Sequence, residues 1–295
     1  RESPLAIHSI SQAVYAAVMS VRTIAVLGAG QMGAGIAQVA AACGYDVVMR
    51  DIEDRFVQSG LSNIEARLRR AVEKGTLDSE GAKMARDRVQ GTLDLAAAAS
   101  ADLVIEAVPE EPELKKSVLR ELDGLAPAST VFASNTSSIG ISELASATRR
   151  ADRFIGMHFF NPVPVMKLVE VVQGKETSEQ TVQTALEVCS RMGKTAVQVH
   201  DFPGFVSNRI LMPMINEAVL ALQEGVATKE AIDTVLKLGA NHPMGPLELA
   251  DFIGLDTCAN ILEVLRKGFG SEKYAPAPLL RRMVAEGRLG KKSRH

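Results

Sequence analysis

The chain has 295 residues, 46% of them hydrophobic and 23% charged, which is ordinary for a globular protein with one large or two smaller domains. Its net charge of −2 gives no bulk attraction to nucleic acid or to an anionic membrane surface. With no tryptophan and 4% aromatic residues, a platform for stacking bases is not expected. No uncharged apolar run reaches about 18 residues, so a membrane span is not expected. From charge, aromatic content and apolar runs together, neither nucleic acid nor a membrane is an expected partner.

Residues 1–20 form an extension ahead of the first apolar strand. They lack a basic start followed by an unbroken apolar region, and Glu2 argues against a transit peptide, so we expect a cytoplasmic protein, with the mitochondrial matrix as the alternative. Either the natural chain starts at Met19, or these residues form a helical arm. The scattered cysteines, Cys43, Cys189 and Cys258, have no metal-ligand spacing, which predicts neither a metal site nor a disulfide.

A glycine-rich turn follows the first predicted strand, Thr23 to Gly28. Gly28, Gly30 and Gly33 have G-x-G-x-x-G spacing, a helix-like stretch comes next, and a second strand over residues 46–51 ends in an acid. In this context Gly28 permits the tight turn, Gly30 lets the backbone approach a diphosphate, and Gly33 lets the helix pack on the strand. The alternative is a glycine-rich turn with no ligand.

The acid that ends the second strand, Asp51, indicates which dinucleotide is bound. Its carboxylate can accept hydrogen bonds from both adenosine ribose hydroxyls and would repel a 2′-phosphate, although Arg50 and Arg55 flank it. We therefore predict NAD rather than NADP as the cofactor. The predicted contacts from the turn and this strand are Gly28, Ala29, Gly30, Gln31, Met32, Gly33 and Asp51.

Further apolar runs at 102–108, 131–135 and 195–200 alternate with helical stretches, which predicts a Rossmann-like, doubly wound and mainly parallel sheet. Ligands bind at the carboxyl ends of such strands, so Glu110, Lys115, Asn135 and Ser137 are expected near the cofactor or substrate. Ser137 could instead cap a turn.

A histidine and a glutamate lie in neighbouring apolar runs, F-I-G-M-H-F and K-L-V-E-V-V. If the intervening N-P-V-P-V turn folds the two strands side by side, His158 can pair with Glu170, which would otherwise be a costly buried carboxylate. Such a pair is either a general base with an orienting carboxylate or a structural ion pair.

After about Asp201 the pattern becomes helical, which divides the chain into predicted domains at 21–200 and 201–295. A helix is predicted from Pro203, with an apolar stripe whose one polar member is Asn208 and with a kink or local unwinding at Pro213. A buried amide needs partners, either a substrate or a loop carbonyl.

Taken together, the glycine turn, N-T-S-S, H-F-F-N-P-V-P-V-M-K-L-V-E and P-G-F-V-S-N-R closely resemble the L-3-hydroxyacyl-CoA dehydrogenase family, over Val21 to about Lys292. The resemblance implies a monofunctional enzyme of the 3-hydroxybutyryl-CoA dehydrogenase type. It has an NAD domain followed by a smaller all-α domain that forms a homodimer. It reversibly oxidises (S)-3-hydroxyacyl-CoA to 3-ketoacyl-CoA.

The resemblance also implies residue roles. His158 matches the family's base and Glu170 its orienting partner, Ser137 and Asn208 match residues that hold the substrate oxygen, and Asn161 matches a further site residue. The remaining matches are cofactor contacts at Glu110, Lys115 and Lys292, a CoA-adjacent lysine at Lys74, and Arg67 where some members carry a serine at the CoA edge.

A cationic helix face spans the positions matched to CoA, with Arg67, Arg69, Arg70 and Lys74 on the predicted helix 54–74. Such a charge run is either a solvated surface or an edge that meets the phosphates of a bulky substrate. Two other functions stay open: a dehydrogenase of a small non-CoA hydroxy acid or polyol, and a non-catalytic, crystallin-like relative.

Overall fold

The computed structural model describes residues 21–293, so the N-terminal extension and the two alternatives for it lie outside the described residues. The chain forms two compact units. Of the described residues, the first unit contains 21–136 and Gly140–Asp201. The second unit contains Ser137–Ile139 and residues 202–293.

Within residues 21–201, the first unit is built on one sheet of eight strands. In chain order these are β1 (Thr23–Leu27), β2 (Asp46–Arg50), β3 (Val89–Thr92), β4 (Leu103–Glu106), β5 (Val131–Ser134), β6 (Phe154–Phe159), β7 (Leu168–Gln173) and β8 (Thr195–His200). Their order across the sheet is β3-β2-β1-β4-β5-β6-β7-β8. All neighbours are parallel except β6 and β7. The predicted mainly parallel, doubly wound sheet is confirmed.

Helices cover this sheet. They are α1 (Gln31–Ala42), α2 (Asp54–Glu73), α3 (Ser79–Asp87), α4 (Leu95–Ala99), α5 (Pro112–Leu125), α6 (Ile141–Ala145) and α7 (Glu179–Arg191). Every residue of β4 and of β5 is buried, as expected for parallel strands covered on both faces. Among the described residues, no helix is long and apolar enough to cross a membrane.

Strand β3 was not predicted from the sequence. Its four residues, V-Q-G-T, include one fully buried aliphatic side chain, Val89, and a glycine, so neither alternation nor a β-branched run marks it. It lies at the edge of the sheet and pairs with β2. The strand therefore forms because β2 offers an unpaired edge, which local sequence does not reveal.

A buried ion pair holds α5 to the turn that leads into β6. Arg150 Nε lies 2.6 Å from Asp123 Oδ1, and both side chains are less than a tenth exposed. Burial alone would raise the pKa of Asp123, but hydrogen bonds from Arg149 and Arg150 outweigh it and hold the pKa below its usual range. The pair has no residue in common with the cavity described below.

The second unit is helical, as predicted. Its helices are α8 (Ser207–Gln223), α9 (Lys229–Gly239), α10 (Pro246–Ile253), α11 (Leu255–Phe269) and α12 (Pro278–Ala285). Helix α8 begins later than predicted because Phe205 has a left-handed φ of 51°. It continues through Pro213, which excludes local unwinding there, and the predicted alternative of a kink stays a prediction. The predicted apolar stripe is confirmed, since Met212, Ile215 and Val219 are buried.

Candidate active site

The turn from β1 to α1 shows why each of its glycines is needed. Gly28 has a φ of 101°, and a Cβ there would lie 2.6 Å from the carbonyl oxygen of Ala107. A Cβ on Gly33 would collide with the carbonyl oxygen of Gly28. At Gly30 no protein atom lies within 4 Å of the Cβ position. Packing of the protein itself requires glycine at positions 28 and 33. At Gly30 the protein leaves open the space that a ligand approaching the backbone would occupy.

A cavity of about 880 Å³ lies at the carboxyl ends of β1, β2 and β4, where the strand order reverses. The first-turn N–H groups of α1 favour an anion at this point. Asp51 is held in place because its carboxylate accepts hydrogen bonds of 2.7 Å from the backbone N–H groups of Ala29 and Ile52. The lining includes six predicted cofactor residues, Gly28, Ala29, Gly30, Gln31, Met32 and Asp51.

Arg67 also lines this cavity, although the sequence assigned it to the substrate edge. It is half-buried on α2, and its Nη1 atom is buried without a hydrogen-bond partner in the described structure. Lys74, which follows the end of α2, is exposed and outside the lining. Of these two predicted CoA contacts, the structure therefore places only Arg67 in the lining of the cavity.

Three other predicted cofactor contacts are held by hydrogen bonds at the ends of β4 and β5, and none of them lines the cavity. Lys115 is 1% exposed, and its Nζ lies 2.7 Å from Glu106 and 3.3 Å from Glu110. Glu110 accepts a hydrogen bond of 2.7 Å from the Thr136 hydroxyl. The side-chain oxygen of Asn135 accepts a hydrogen bond of 2.9 Å from the Phe159 backbone N–H.

Glu106 was not predicted from the sequence; it is fully buried and accepts a hydrogen bond from the fully buried Ser134. The sequence did mark this residue, because the apolar strand β4, L-V-I-E, ends in an acid. The apolar run K-L-V-E-V-V around β7 contains an acid in the same way. A buried carboxylate requires partners, and the same argument that singled out Glu170 applies to Glu106.

His158 and Glu170 face each other across the antiparallel pair β6–β7. Nδ1 of His158 lies 2.8 Å from Oε2 of Glu170, and the two residues are 8% and 3% exposed. The predicted pairing is confirmed. An ionised carboxylate only accepts hydrogen bonds, so Nδ1 donates to it, and in a neutral imidazole the lone pair is then on Nε2. This geometry suits a general base with an orienting carboxylate.

The loop between β6 and β7 is tied down at both ends. Asn161 is exposed and accepts a hydrogen bond of 3.0 Å from the Gln31 side chain, which joins the loop to the glycine turn. Lys194 donates to the backbone oxygens of Val163 and Met166, and burial lowers the pKa of Lys194. Lys194 was not predicted from the sequence, since nothing in G-K-T marks a lysine as half-buried.

Ser137 and Asn208 come together within the second unit. Asn208 is 8% exposed, and its side-chain nitrogen donates a hydrogen bond of 2.9 Å to the backbone oxygen of Ser137. This is the loop-carbonyl partner that the sequence left open. Lys292 bonds to Asp256 at 3.0 Å and to Thr257 at 2.8 Å, so the structure places this predicted cofactor lysine on the start of α11.

A cavity at the strand-order reversal, a buried histidine–glutamate pair and a following helical unit are together typical of a nicotinamide-dependent dehydrogenase. Residues 23–202 match the NAD binding domain of 3-hydroxyacyl-CoA dehydrogenase, and residues 204–295 match its C-terminal domain. The chain belongs to the 3-hydroxyacyl-CoA dehydrogenase family, whose members are NAD-dependent oxidoreductases.

Individual relatives agree with this assignment. A probable 3-hydroxybutyryl-CoA dehydrogenase of Bacillus subtilis is 54% identical over 93% of this chain and 96% of its own length. The human mitochondrial hydroxyacyl-coenzyme A dehydrogenase is 43% identical, over 92% of this chain and 89% of its own length. The crystal structure of (S)-3-hydroxybutyryl-CoA dehydrogenase from Ralstonia eutropha superposes with a TM-score of 0.91 at 49% identity, covering 93% of this chain and 97% of that one.

The two glycines distinguished above give a direct test of the cofactor cavity. Gly30→Ala should change the free energy of unfolding by no more than about 1 kcal/mol, because its φ of −67° suits any residue. It should nevertheless weaken NADH binding about tenfold or more. Gly33→Ala should cost about 1–3 kcal/mol of stability, because its Cβ has no room. Fluorescence titration with NADH and thermal unfolding measure both. Wild-type NADH affinity in Gly30→Ala would contradict this placement of the cofactor.

Proposed function

We propose that this chain interconverts a short-chain (S)-3-hydroxyacyl-CoA and its 3-ketoacyl-CoA, with His158 as the general base. The observation that supports the role of His158 most strongly is its buried hydrogen bond of 2.8 Å to Glu170, within a family NAD-binding domain. The short acyl chain is supported by relatives that are 48–54% identical and named for 3-hydroxybutyryl-CoA.

The reaction requires a proton and a hydride to leave the same C–O unit. NAD held by the glycine turn and Asp51 would supply the acceptor for the hydride that leaves C3 of the substrate. Nε2 of His158 takes the proton from the 3-hydroxyl as the C–O single bond becomes a carbonyl, and the imidazolium returns the proton in the reverse direction. The chain's own contribution is thus to hold a neutral imidazole with its lone pair at the reacting oxygen.

Glu170 keeps the imidazole in the required state. By accepting the Nδ1–H hydrogen bond it selects the tautomer with the lone pair on Nε2. Its negative charge also stabilises the imidazolium formed during oxidation, and this effect is strong because both groups are almost fully buried.

Ser137 and Asn208 are proposed to bind the substrate's reacting oxygen through the Ser137 hydroxyl and the Asn208 amide. The Asn208–Ser137 hydrogen bond supports this role because it fixes the two residues relative to one another. Preorganised donors at the reacting oxygen stabilise the charge that develops there. We assign Asn161 as a further site residue, since its hydrogen bond to Gln31 holds it beside the cofactor turn.

The CoA phosphates are proposed to meet the cationic end of α2. Arg69, Arg70 and Lys74 are exposed, and none of the three makes an ion pair within residues 21–293. Cations that form no ion pair are available to a phosphorylated ligand. Arg67 extends this charge into the lining of the cofactor cavity.

We also propose a cytoplasmic homodimer that forms through the second unit. On that unit Ile210, Val235, Leu238 and Phe252 are more than half exposed, which is typical of a surface covered by a partner. The location is proposed from the bacterial relatives.

Light scattering should give twice the chain mass of 31.5 kDa, and Leu238→Glu should shift the mass toward the monomer. A monomeric wild-type protein would contradict the dimer.

Removing the base should abolish turnover but leave cofactor binding intact. His158→Ala should lower kcat by a factor of about 10²–10⁴, and Glu170→Gln should lower it by a smaller but large factor because the tautomer is no longer selected. NADH affinity in both variants should stay near wild type. Steady-state reduction of acetoacetyl-CoA and NADH titration measure these effects. Near-normal turnover in His158→Ala would contradict the assignment.

A comparison of ketones tests the acyl-CoA substrate. With NADH, kcat/KM for acetoacetyl-CoA should exceed that for ethyl acetoacetate by about 100-fold or more, since the CoA moiety provides binding energy far from the reacting carbon. The double variant Arg69→Ala/Lys74→Ala should lower kcat/KM for acetoacetyl-CoA and leave the value for ethyl acetoacetate unchanged. Equal values for the two ketones in the wild type would favour a small non-CoA substrate.

A further inference from the structure

A closed ring of polar side chains connects the carboxyl ends of β4 and β5. Lys115 Nζ lies 2.7 Å from one oxygen of Glu106, and the other oxygen of Glu106 accepts a hydrogen bond of 2.6 Å from Ser134. The Ser134 hydroxyl accepts a hydrogen bond of 3.3 Å from the Thr136 backbone, and the Thr136 hydroxyl donates to Glu110 at 2.7 Å. Glu110 lies 3.3 Å from Lys115, which completes the ring.

Most of this ring is inaccessible to water. Glu106, Ser134 and Thr136 are 0% exposed and Lys115 is 1% exposed. Burying an ion pair costs so much desolvation free energy that apolar side chains of similar size often stabilise a protein as well or better. General stability is therefore a weak explanation for the pair, and its hydrogen bonds to the backbone are a stronger one.

The ring holds the backbone that forms one wall of the cofactor cavity. Glu106 accepts a hydrogen bond of 2.7 Å from the N–H of Val108, and Lys115 donates one of 3.0 Å to the oxygen of Val108. Val108 lines the cavity, and so do its neighbours Ala107 and Pro109. The Glu106–Lys115 pair thus binds both backbone polar groups of Val108, its N–H and its carbonyl oxygen.

The same ring reaches the strand that contains the catalytic histidine. Thr136 follows Asn135 in the chain. The side-chain oxygen of Asn135 accepts a hydrogen bond from the backbone N–H of Phe159, the residue after His158. The ring is therefore next in the chain to the β5 end that binds the backbone of β6.

We infer that Glu106 is a positioning residue for the nicotinamide cofactor. Its buried carboxylate fixes Val108 at the cavity wall and links the β4–α5 loop to the end of β5. It acts through the backbone, and loss of its charge loosens the wall against which the dinucleotide lies.

The test compares Glu106→Gln with Asp123→Asn in the full chain. Both variants remove the acid of a buried ion pair in the first unit, but Asp123 is outside the cavity lining. Both should lower the melting temperature. Only Glu106→Gln should weaken NADH binding, by about tenfold or more in a fluorescence titration, while kcat at saturating NADH falls less than about threefold.

Two results would overturn the inference. One is wild-type NADH affinity in Glu106→Gln. The other is a loss of NADH affinity in Asp123→Asn as large as that in Glu106→Gln, which would make the effect one of general stability.

If Glu106→Gln does not fold, Ser134→Ala gives the same answer. It keeps both charges and removes only the link between Glu106 and Thr136. It should raise the Kd for NADH by about threefold or more, and an unchanged Kd would contradict the inference. NADH binding involves neither substrate nor proton transfer, so this result is independent of the role proposed for His158.

Discussion

The hydrogen bond between His158 and Glu170 depends on the one antiparallel pairing in an otherwise parallel run of strands. In that register Glu170 stands directly opposite His158. Because side chains alternate between the faces of a strand, a slip by one residue would turn Glu170 away from the histidine and leave it buried without this partner. The cost of that buried carboxylate therefore specifies the register as strongly as the surrounding aliphatic side chains do.

The loop between the two strands protects this register. Lys194 binds two of its carbonyl oxygens, and Asn161 connects it to Gln31 at the start of α1. A short path therefore connects His158 to the cofactor turn, along the chain to Asn161 and then through the hydrogen bond between Asn161 and Gln31. Such a connection suits a reaction in which the proton acceptor and the hydride acceptor must reach the same carbon–oxygen unit.

Much of this architecture follows from rules that act over short stretches of sequence. Gly28, Gly30 and Gly33 are recognisable because strand, turn and helix follow one another within a few residues. Glu170 is recognisable because its own strand is apolar. The arrangement of β3, by contrast, is set by the free edge of β2, and the start of α8 is set by the left-handed backbone of Phe205.

The unpredicted part of the site consists of residues whose partners are far apart in the chain. Glu106 meets Lys115 from α5 and Ser134 from β5, and these pairings appear only when the ends of the strands are brought together. Family resemblance identified Lys115 and Glu110, but it did not reveal that their charges are bound within a ring. Long-range polar networks of this kind depend on the complete fold, whereas periodicity reports only local geometry.

The proposed chemistry requires Glu170 to hold His158 as a neutral base with its proton on Nδ1. The most direct test is ¹⁵N NMR of the histidine-labelled protein at pH 8, with the His158 signals assigned by their loss in His158→Gln. We expect a protonated Nδ1 and an unprotonated Nε2 in the wild type. A proton on Nε2 would contradict it, because the lone pair would then face Glu170 and could not accept the proton of a 3-hydroxyl group.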